Sequence, residues 1–228
     1  MAKMGRPRTF DREAALQQAM HLFWEHGYDS TSLAMLKANI GGGISAPSFY
    51  AAFGSKEELF REVVQHYIKS HGHVADSLWD DQLAPRQAME TALRRSAQMQ
   101  TECDHPAGCL MVISASACSP EHAQIQQLLA EQRALTRQAF EHCVQRAVDL
   151  GDLPSSINVS AFASLFVSFL MGLSIQTRDG VAIDVLETAI SQIMLSWDSV
   201  AASAVATRTA PASADSGKVK TSSKAAIA

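Results

Sequence analysis

Helical periodicity constrains the fold of this chain more than any other feature. From Asp11 to about Val200, apolar residues recur at the three- and four-residue spacing of amphipathic helices, and no run alternates as a strand does. In the first such segment Leu16, Met20 and Phe23 fall at positions i, i+4 and i+7. The sequence therefore predicts an all-α protein.

One of the predicted helices is too short to be stable alone. Three glycines, Gly41–Gly43, stop the preceding helix, and the helix that restarts at Ser45 is ended by Gly54. A helix of about two turns is marginal in water, so its neighbours must position it. A helix, a glycine turn and a short helix form a helix-turn-helix, whose second helix lies in the DNA major groove.

Capping residues predict where the N-terminal helices begin and end. Asp11 is a plausible N-cap of the first helix and Gly27 its stop, and Thr31 is the predicted cap of the second. Ser55 and Glu58 have the spacing of a capping box at the start of the fourth. Further helical patterns are predicted at about 85–101, 107–117, 120–150, 156–176 and 181–201.

The charge distribution separates the two ends of the chain from its middle. The net charge of −4 combines +1 over residues 1–70, −8 over 71–200 and +3 over 201–228. The acidic middle argues against a nucleic-acid surface there. No apolar signal-peptide core follows the first residues, and polar residues interrupt the most membrane-like segment, 157–175, so we expect a cytoplasmic protein with no membrane partner.

The composition and periodicity predict five regions. They are a flexible basic arm over 1–10, a helix-turn-helix core over 11–55, a connecting helix and linker over 56–84, a larger helical domain over 85–201, for which the resemblance described below implies effector binding and dimerisation, and a disordered tail over 202–228.

Several motifs resemble a known family. Arg6-Pro7-Arg8, residues 19–32 and residues 47–60 are similar to the N-terminal domain of the TetR/AcrR transcriptional regulators. Gly108-Cys109-Leu110 and residues 172–180 resemble the ligand domain of one branch of that family. The resemblance implies a homodimer that binds a palindromic double-stranded DNA operator, usually represses, and releases DNA when a small molecule enters the C-terminal domain.

The resemblance also implies which residues contact DNA. Contacts to phosphates would come from Thr31, Tyr50 and Lys56, the groove would be faced by Ser45, Ala46, Pro47 and Ser48, and a mobile arm would add Arg6 and Arg8. Four of these positions have a plainer interpretation: Tyr50 as a core aromatic, Ser48 as a surface serine, Thr31 as a helix cap alone, and Lys56 as a solvated surface lysine. The last explains Lys56 poorly, because a cation at a helix start is unfavourable for the helix dipole.

One spacing departs from the family pattern. Between Thr31 and Pro47 the chain is two residues longer than that pattern, with three glycines in place of one. Either the turn bulges locally or the short helix is tilted relative to the usual docking.

The C-terminal half contains apolar residues for a ligand cavity and for a subunit interface. The candidate pocket for a small hydrophobic or aromatic effector consists of Met89, Met99, Met111, Phe140 and Phe166. The last two patterned helices are apolar over more than one stripe, which indicates a homodimer interface formed by a four-helix bundle. Its candidate residues are Phe162, Phe169, Leu173, Leu186, Ile190, Ile193 and Trp197.

Cysteine and histidine residues suggest three alternatives. Cys109 and Cys118 are candidate oxidation-sensing thiols, which makes cysteine oxidation an alternative input to the same fold. Cys103, His105 and Cys109 lack a fourth ligand and a paired CxxC, so neither a metal site nor a cofactor is predicted. A thiol-dependent enzyme or redox protein is the alternative from another class, but no Cys–His–acid pattern or phosphate loop supports it, and we expect a non-enzyme.

Overall fold

The computed structural model describes residues 10–116 and 118–209, and within these ranges the chain forms helices and turns without a strand. The α-helices are α1 Arg12–Ser30, α2 Leu33–Asn39, α3 Ala46–Phe53, α4 Lys56–Ser70, α5 Pro85–Thr101, α6 Leu110–Ser116, α7 Ala123–Asp149, α8 Val159–Arg178 and α9 Ile183–Thr209. Short 3₁₀ segments lie at Gly72–Trp79 and Pro120–His122. The all-α prediction is confirmed.

Helix α1 begins where its sequence predicts, and at Gly27, the predicted stop, its path is broken although the helix continues to Ser30. The Asp11 carboxylate accepts hydrogen bonds from the backbone N–H groups of Glu13 and Ala14, at 3.1 and 3.0 Å. Gly27 has φ 76° and ψ 172°, which breaks the helical path three residues before α1 ends at Ser30. A glycine tolerates this left-handed φ without the steric cost that a Cβ atom adds.

Two neighbouring hydroxyl residues make different hydrogen bonds at the start of α2. Ser32 is the N-cap and accepts a hydrogen bond from Met35 N–H at 3.1 Å. Thr31 is completely buried, and its hydroxyl donates to the carbonyl of Gly27 at 2.7 Å. The prediction that Thr31 caps α2 is therefore wrong: its hydroxyl satisfies a carbonyl near the end of α1 instead.

The caps of α3 and α4 agree with the sequence. Ser45 accepts a hydrogen bond from Ser48 N–H at 3.2 Å, and Ser55 accepts one from Glu58 N–H at 3.0 Å. The Ser55 N–H donates to the carbonyl of Phe53 at 2.8 Å, so the Glu58 side chain does not complete a capping box.

The core of the N-terminal helices continues into the rest of the chain. Buried aromatic rings from α1, α3 and α4, among them Phe23, Phe49 and Phe60, belong to a cluster that also includes Leu110 of α6 and Leu129 of α7. A second cluster joins α5, α7, α8 and α9. Because α6 and α7 contribute to the first cluster, a displacement of either helix acts directly on the N-terminal core.

Three predicted pocket residues belong to the second cluster. Met89, Phe140 and Phe166 are fully buried there among other side chains, and none of them lines the cavity of about 340 Å³ described below. The structure does not place them in that cavity, because apolar character alone does not distinguish a packed residue from a cavity wall.

The last helix is longer than the sequence predicts. Helix α9 continues to Thr209, so a disordered tail beginning at residue 202 is wrong for residues 202–209. The remainder of the predicted tail, 210–228, lies outside the described residues, as does most of the predicted arm, residues 1–9.

Helix α8 is unusually apolar. Its 20 residues are long and apolar enough to cross a membrane by length and composition, with a mean hydropathy of 1.7 over an 18-residue window. Only 28% of that window is buried within the chain. One such helix is weak support for a membrane span, and its exposed apolar face is equally suited to contact with a second protein surface.

Candidate nucleic-acid interface and internal cavity

The three-glycine turn is a compact, hydrogen-bonded bulge. Gly41, Gly42 and Gly43 have φ values of 60°, 74° and 95°, a succession that residues with a Cβ atom rarely adopt. The Gly41 N–H donates to Gln18 Oε1 of α1 at 2.8 Å. The N–H of Ile44 donates back to a carbonyl of α2 at 2.9 Å. The longer spacing therefore forms a local bulge that is hydrogen-bonded to both preceding helices.

Helix α3 presents one face to the core and the other outward. Phe49 and Phe53 are buried, whereas Pro47 and Ser48 are exposed and the Tyr50 side chain is 51% exposed. The exposed Ser45 side chain lies beside Ser48, with 2.9 Å between their Oγ atoms, and Ala46 is half-buried. The outward face therefore combines small side chains, hydroxyl groups and one phenol.

Two lysines lie in the helices that precede and follow α3. Lys56 Nζ lies 4.2 Å from the centroid of the Tyr28 ring, and burial lowers the pKa of its ammonium group. Lys37, in the last turn of α2, is a further candidate for a DNA contact that the sequence patterns do not single out. Its position shortly before the three glycines is the signal that could identify it. Arg12 donates to both carboxylate oxygens of Glu62 at 2.7 Å, so its charge is already paired.

Of the remaining predicted DNA contacts, Thr31 does not belong to this face. The Thr31 side chain is fully buried and has no surface to offer a phosphate, so the structure does not support that contact. Arg6 and Arg8 lie outside the described residues.

The N-terminal helices are joined to the rest of the chain around Trp24. The indole N–H of Trp24 donates to the carbonyl of Gly108 at 3.0 Å. Arg178, at the end of α8, donates to the carbonyls of Ala107 at 3.0 Å and Glu25 at 3.2 Å. Gly108 has φ 85°, and a Cβ atom there would lie 2.9 Å from the Ser174 carbonyl oxygen. The motifs around residues 108–110 and 172–180 thus meet at one junction.

A cavity of about 340 Å³ lies between α4, α5, α6, α7 and α8. It is roughly twice the 150 Å³ cavity that binds benzene. Met99 and Met111, two of the predicted pocket residues, line it together with Leu170, Met171 and Trp79. The cavity therefore has predominantly apolar walls and room for a small organic molecule.

Polar groups occupy limited parts of the cavity wall. The buried Gln100 donates to Ser96 Oγ and accepts from Ser174 Oγ, both at 2.7 Å. Arg133 of α7 donates to the carbonyl of Met111 at 3.1 Å. Among the described residues no carboxylate lies within ion-pair distance of Arg133. Burial, followed by the nearby charge of Arg137, lowers the pKa of its guanidinium.

Both predicted sensor thiols are in surroundings that favour the protonated form. Burial raises the pKa of Cys109, whose sulfur accepts a hydrogen bond from Tyr67 at 3.3 Å. Burial also raises the pKa of Cys118. Because the thiolate is the reactive species, neither environment activates its cysteine at neutral pH.

The predicted dimer residues mostly face the chain's own core. Leu173, Leu186, Ile190 and Trp197 are fully buried within the single chain. The half-buried Phe162, Phe169 and Ile193 pack against the same cluster. The four fully buried residues are therefore not available to a second copy of the chain. A second stripe is exposed and consists of Leu165 and Ile175 on α8 and Val185 and Leu195 on α9.

Comparison with known proteins places both halves of this architecture. The family model described as bacterial regulatory proteins, tetR family, matches residues 15–63. The model described as the tetracyclin repressor-like C-terminal domain matches residues 85–189.

Relatives match at least four fifths of the chain. The HTH-type transcriptional repressor ComR of Escherichia coli (strain K12) is 33% identical over 195 residues, 85% of this chain and 91% of ComR. The repressor BdcR of the same organism is 30% identical over 185 residues, 80% of this chain and 86% of BdcR. A CifR cysteine mutant complexed with 26-base-pair double-strand operator DNA is 36% identical, covers 84% of this chain and 100% of that chain, and has a TM-score of 0.76. The chain belongs to the TetR family of bacterial transcriptional regulators.

Proposed function

We propose that the protein is a homodimeric repressor that binds a palindromic operator through α3 and is released when a small hydrophobic acid enters the cavity. One observation carries the DNA-binding part. Helix α3 is anchored by Phe49 and Phe53 and leaves an outward face of small and hydroxyl-bearing side chains. Such a face lets the helix backbone come close to base edges.

The outward face of α3 offers few side chains that can contact base edges directly. Ser48 can exchange a hydrogen bond with a base edge, and Ala46 and Pro47 can contact thymine methyl groups. Tyr50 and Lys56 are proposed to contact phosphates and fix the register, with Ser45 at the edge of the groove. The complex of CifR with operator DNA supports a reader of this kind in a chain 36% identical to this one.

The exposed stripe on α8 and α9 supports the homodimer. The exposed positions 161, 165, 168 and 175 of α8 and 185, 188, 192, 195 and 199 of α9 include no charged side chain. A second copy packed on this stripe by two-fold symmetry would form a four-helix bundle and cover the apolar face of α8. Two reading helices would then lie about one DNA turn apart.

The lining of the cavity indicates an effector with both a hydrophobic body and a negative charge. The methionine and leucine walls suit a hydrophobic or aromatic body, whereas Arg133 adds a positive charge without a carboxylate partner among the described residues. Charge-assisted hydrogen bonds to guanidinium are among the strongest a ligand can make. The proposed effector is therefore a compact hydrophobic acid.

Release of the operator would follow from a coupling between the cavity and the α3 helices of the dimer. Trp24 and Arg178 tie α1 to the loop before α6 and to the end of α8, and both of those elements border the cavity. A ligand that binds one arrangement of these helices better than the other shifts the population between them. The ligand-bound dimer would hold its reading helices at a spacing that no longer matches successive grooves.

Cysteine oxidation is the alternative input. The raised thiol pKa values of Cys109 and Cys118 favour a bound ligand over an oxidant. Loss of DNA binding with peroxide, reversed by reductant and abolished by Cys109→Ser, would select the oxidation alternative. No enzymatic role is proposed, because the relatives are transcriptional regulators. A DNA-binding regulator of this kind is proposed to act in the cytoplasm.

Selection of bound sequences from a random duplex pool tests the proposed function. The full-length chain, at a stated salt concentration, is expected to recover an inverted repeat with two half-sites. If the selection recovers no shared sequence, and the remaining DNA binding is independent of sequence and weakens as salt is added, the operator-binding assignment is rejected.

A further inference from the structure

We propose that Glu102, Asp104 and His105, in the loop between α5 and α6, form a binding site for one divalent transition-metal cation such as Zn²⁺. The three side chains bring their ligand atoms within 4.8 Å of one another. The site lies outside the DNA-facing surface and does not depend on the proposed function.

The tautomer of His105 can be assigned from its partners. Its Nδ1 lies 3.0 Å from the carbonyl oxygen of Pro106. A carbonyl oxygen can only accept, so Nδ1 must carry the hydrogen. In the neutral ring Nε2 then bears a lone pair. This nitrogen is buried and makes no hydrogen bond, and the side chain as a whole is 1% exposed.

The lone pair of Nε2 faces two negative groups. Glu102 Oε2 lies 3.5 Å from Nε2, and Asp104 Oδ1 lies 3.9 Å from it. An ionised carboxylate only accepts hydrogen bonds, so a neutral His105 leaves three electron-rich atoms facing one another. A cation placed between them converts this mutual repulsion into coordination.

The distances are close to those of a metal site. Donor atoms around a tetrahedral ion with bonds of about 2.0–2.2 Å lie about 3.4 Å apart. The Glu102 and Asp104 side chains are 55% and 82% exposed, so a change of rotamer can close the remaining gap without moving the backbone. Three protein ligands would leave room for water on the metal.

The surroundings of His105 are those expected for a metal ligand. A ligating histidine generally donates its other ring N–H to a carbonyl or carboxylate, as Nδ1 does here to Pro106. The ring is stacked on Trp24, with centroids 4.3 Å apart and planes 16° apart, and meets the edge of His71 at 4.9 Å. These contacts fix the direction of Nε2 before any ion binds.

One imidazole and two carboxylates suit borderline and hard divalent cations. The nearby thiol of Cys109 is not part of this group, because its sulfur accepts a hydrogen bond from Tyr67 instead. Zn²⁺ is the probe of choice because it is redox-inert and does not oxidise the four free thiols.

Calorimetric titration of the reduced full-length protein with ZnCl₂ tests the site. We expect one Zn²⁺ per chain, and a loss of affinity of at least about tenfold in both Glu102→Gln and Asp104→Asn. The control Asp179→Asn, which removes an exposed carboxylate elsewhere, should bind as the wild type does. Thermal unfolding of each variant without metal checks that the fold is unchanged.

Two further variants distinguish this site from zinc binding by a thiol. His105→Gln should abolish binding, and Cys103→Ser, beside the cluster, should leave it unchanged. Loss of binding in Cys103→Ser with retention in both carboxylate variants would assign the metal to a thiol and overturn the proposal. Absence of binding below about 1 mM Zn²⁺, as expected if a proton on Nε2 satisfies the carboxylates, would also overturn it.

Discussion

At the scale of single residues, the proposed function assigns two kinds of DNA contact to the outward face of α3. Ser48 is proposed to meet a base edge and Tyr50 a phosphate; both side chains are exposed, whereas Phe49 between them is buried. Base contacts carry sequence information, whereas phosphate contacts do not. The two side chains should therefore respond differently to a change of DNA sequence.

Removal of the Tyr50 hydroxyl should weaken operator and unrelated duplex alike. A lost hydrogen bond of about 0.5–1.5 kcal/mol corresponds to roughly 2–10-fold in affinity for both DNAs in Tyr50→Phe. Ser48→Ala should instead reduce the ratio of the two affinities. Fluorescence anisotropy with both duplexes measures these effects, and Ser156→Ala, in the exposed loop before α8, serves as the control. Equal behaviour of all three variants and the wild type would show that α3 does not read DNA.

Arg133 should determine which ligands the cavity accepts. Arg133→Met should weaken binding of 2-naphthoate at least about tenfold and leave binding of its neutral amide nearly unchanged, since a hydrogen bond to a charged group is worth about 1.5–3 kcal/mol. Quenching of tryptophan fluorescence reports binding, because Trp79 lines the cavity.

The matched control for the charge is Arg137→Met. Arg137 lies one helical turn further along α7, is exposed and does not line the cavity. The hydrophobic-acid proposal fails if acid and amide bind the wild type equally, or if both arginine variants lose the acid to the same extent.

At the scale of elements, capping chemistry could be predicted and burial could not. Asp11, Ser45 and Ser55 cap the helices that their positions predict, because a cap depends on the residues within one turn. Thr31 failed as a cap because Ser32 is equally suited and adjacent, and only the packing against α1 decides between them.

Periodicity also cannot predict which side of α8 and α9 is buried within the chain. Both helices are apolar on two stripes, and the pattern does not tell which stripe meets the chain's own core. The sequence predicts Trp197 and Leu173 at a subunit interface, but both side chains are buried within the single chain. The cavity depends in the same way on how several helices meet, which is why Met99 and Met111 line it while Met89 does not.

The three-glycine turn should tolerate no side chain at its third position without loss of DNA binding. A Cβ atom on Gly43 would meet no atom closer than 3.9 Å, so Gly43→Ala adds strain from its φ of 95° and no steric clash. That strain costs about 1–2 kcal/mol, or roughly 2–8 °C in Tm for a chain of this size. Operator affinity should fall as well, and Gly43→Asn should lose less.

Gly180→Ala provides the matched control for this turn. Gly180 has φ 78° and open space within 4 Å of the position that a Cβ atom would take, but it lies between α8 and α9. The substitution should lower the Tm by a similar amount and leave operator affinity unchanged. A Gly43→Ala variant that binds the operator as well as Gly180→Ala does would mean that the turn does not position α3.

At the scale of the whole molecule, DNA binding should depend on the exposed stripe of α8 and α9. Leu165→Arg and Leu195→Arg each place a charge in the proposed interface and should convert the dimer to a monomer, with loss of operator binding. Sedimentation gives the mass of each variant. Leu150→Arg is the control, because Leu150 is 63% exposed and lies at the end of α7. A dimer that persists in both interface variants would place the interface elsewhere.

Two continuous cores make the chain a connected body rather than two independent halves. Leu110 and Leu129 lie in the core of the N-terminal helices, although α6 and α7 belong to the C-terminal part of the sequence. Local patterns in the sequence predict separate domains because they do not record such long-range contacts. The connection is the physical route that the proposed function uses to couple a ligand in the cavity to the position of α3.

Photo-cross-linking from position 48 tests the central claim most directly. A photoreactive side chain in place of Ser48, in the full-length protein on its selected operator, should cross-link to bases at two places about one DNA turn apart. The same side chain in place of Ser156 should give no cross-link to DNA. Cross-links from position 48 to a single place, or none in a complex that still forms, would contradict a dimer that reads its operator through α3.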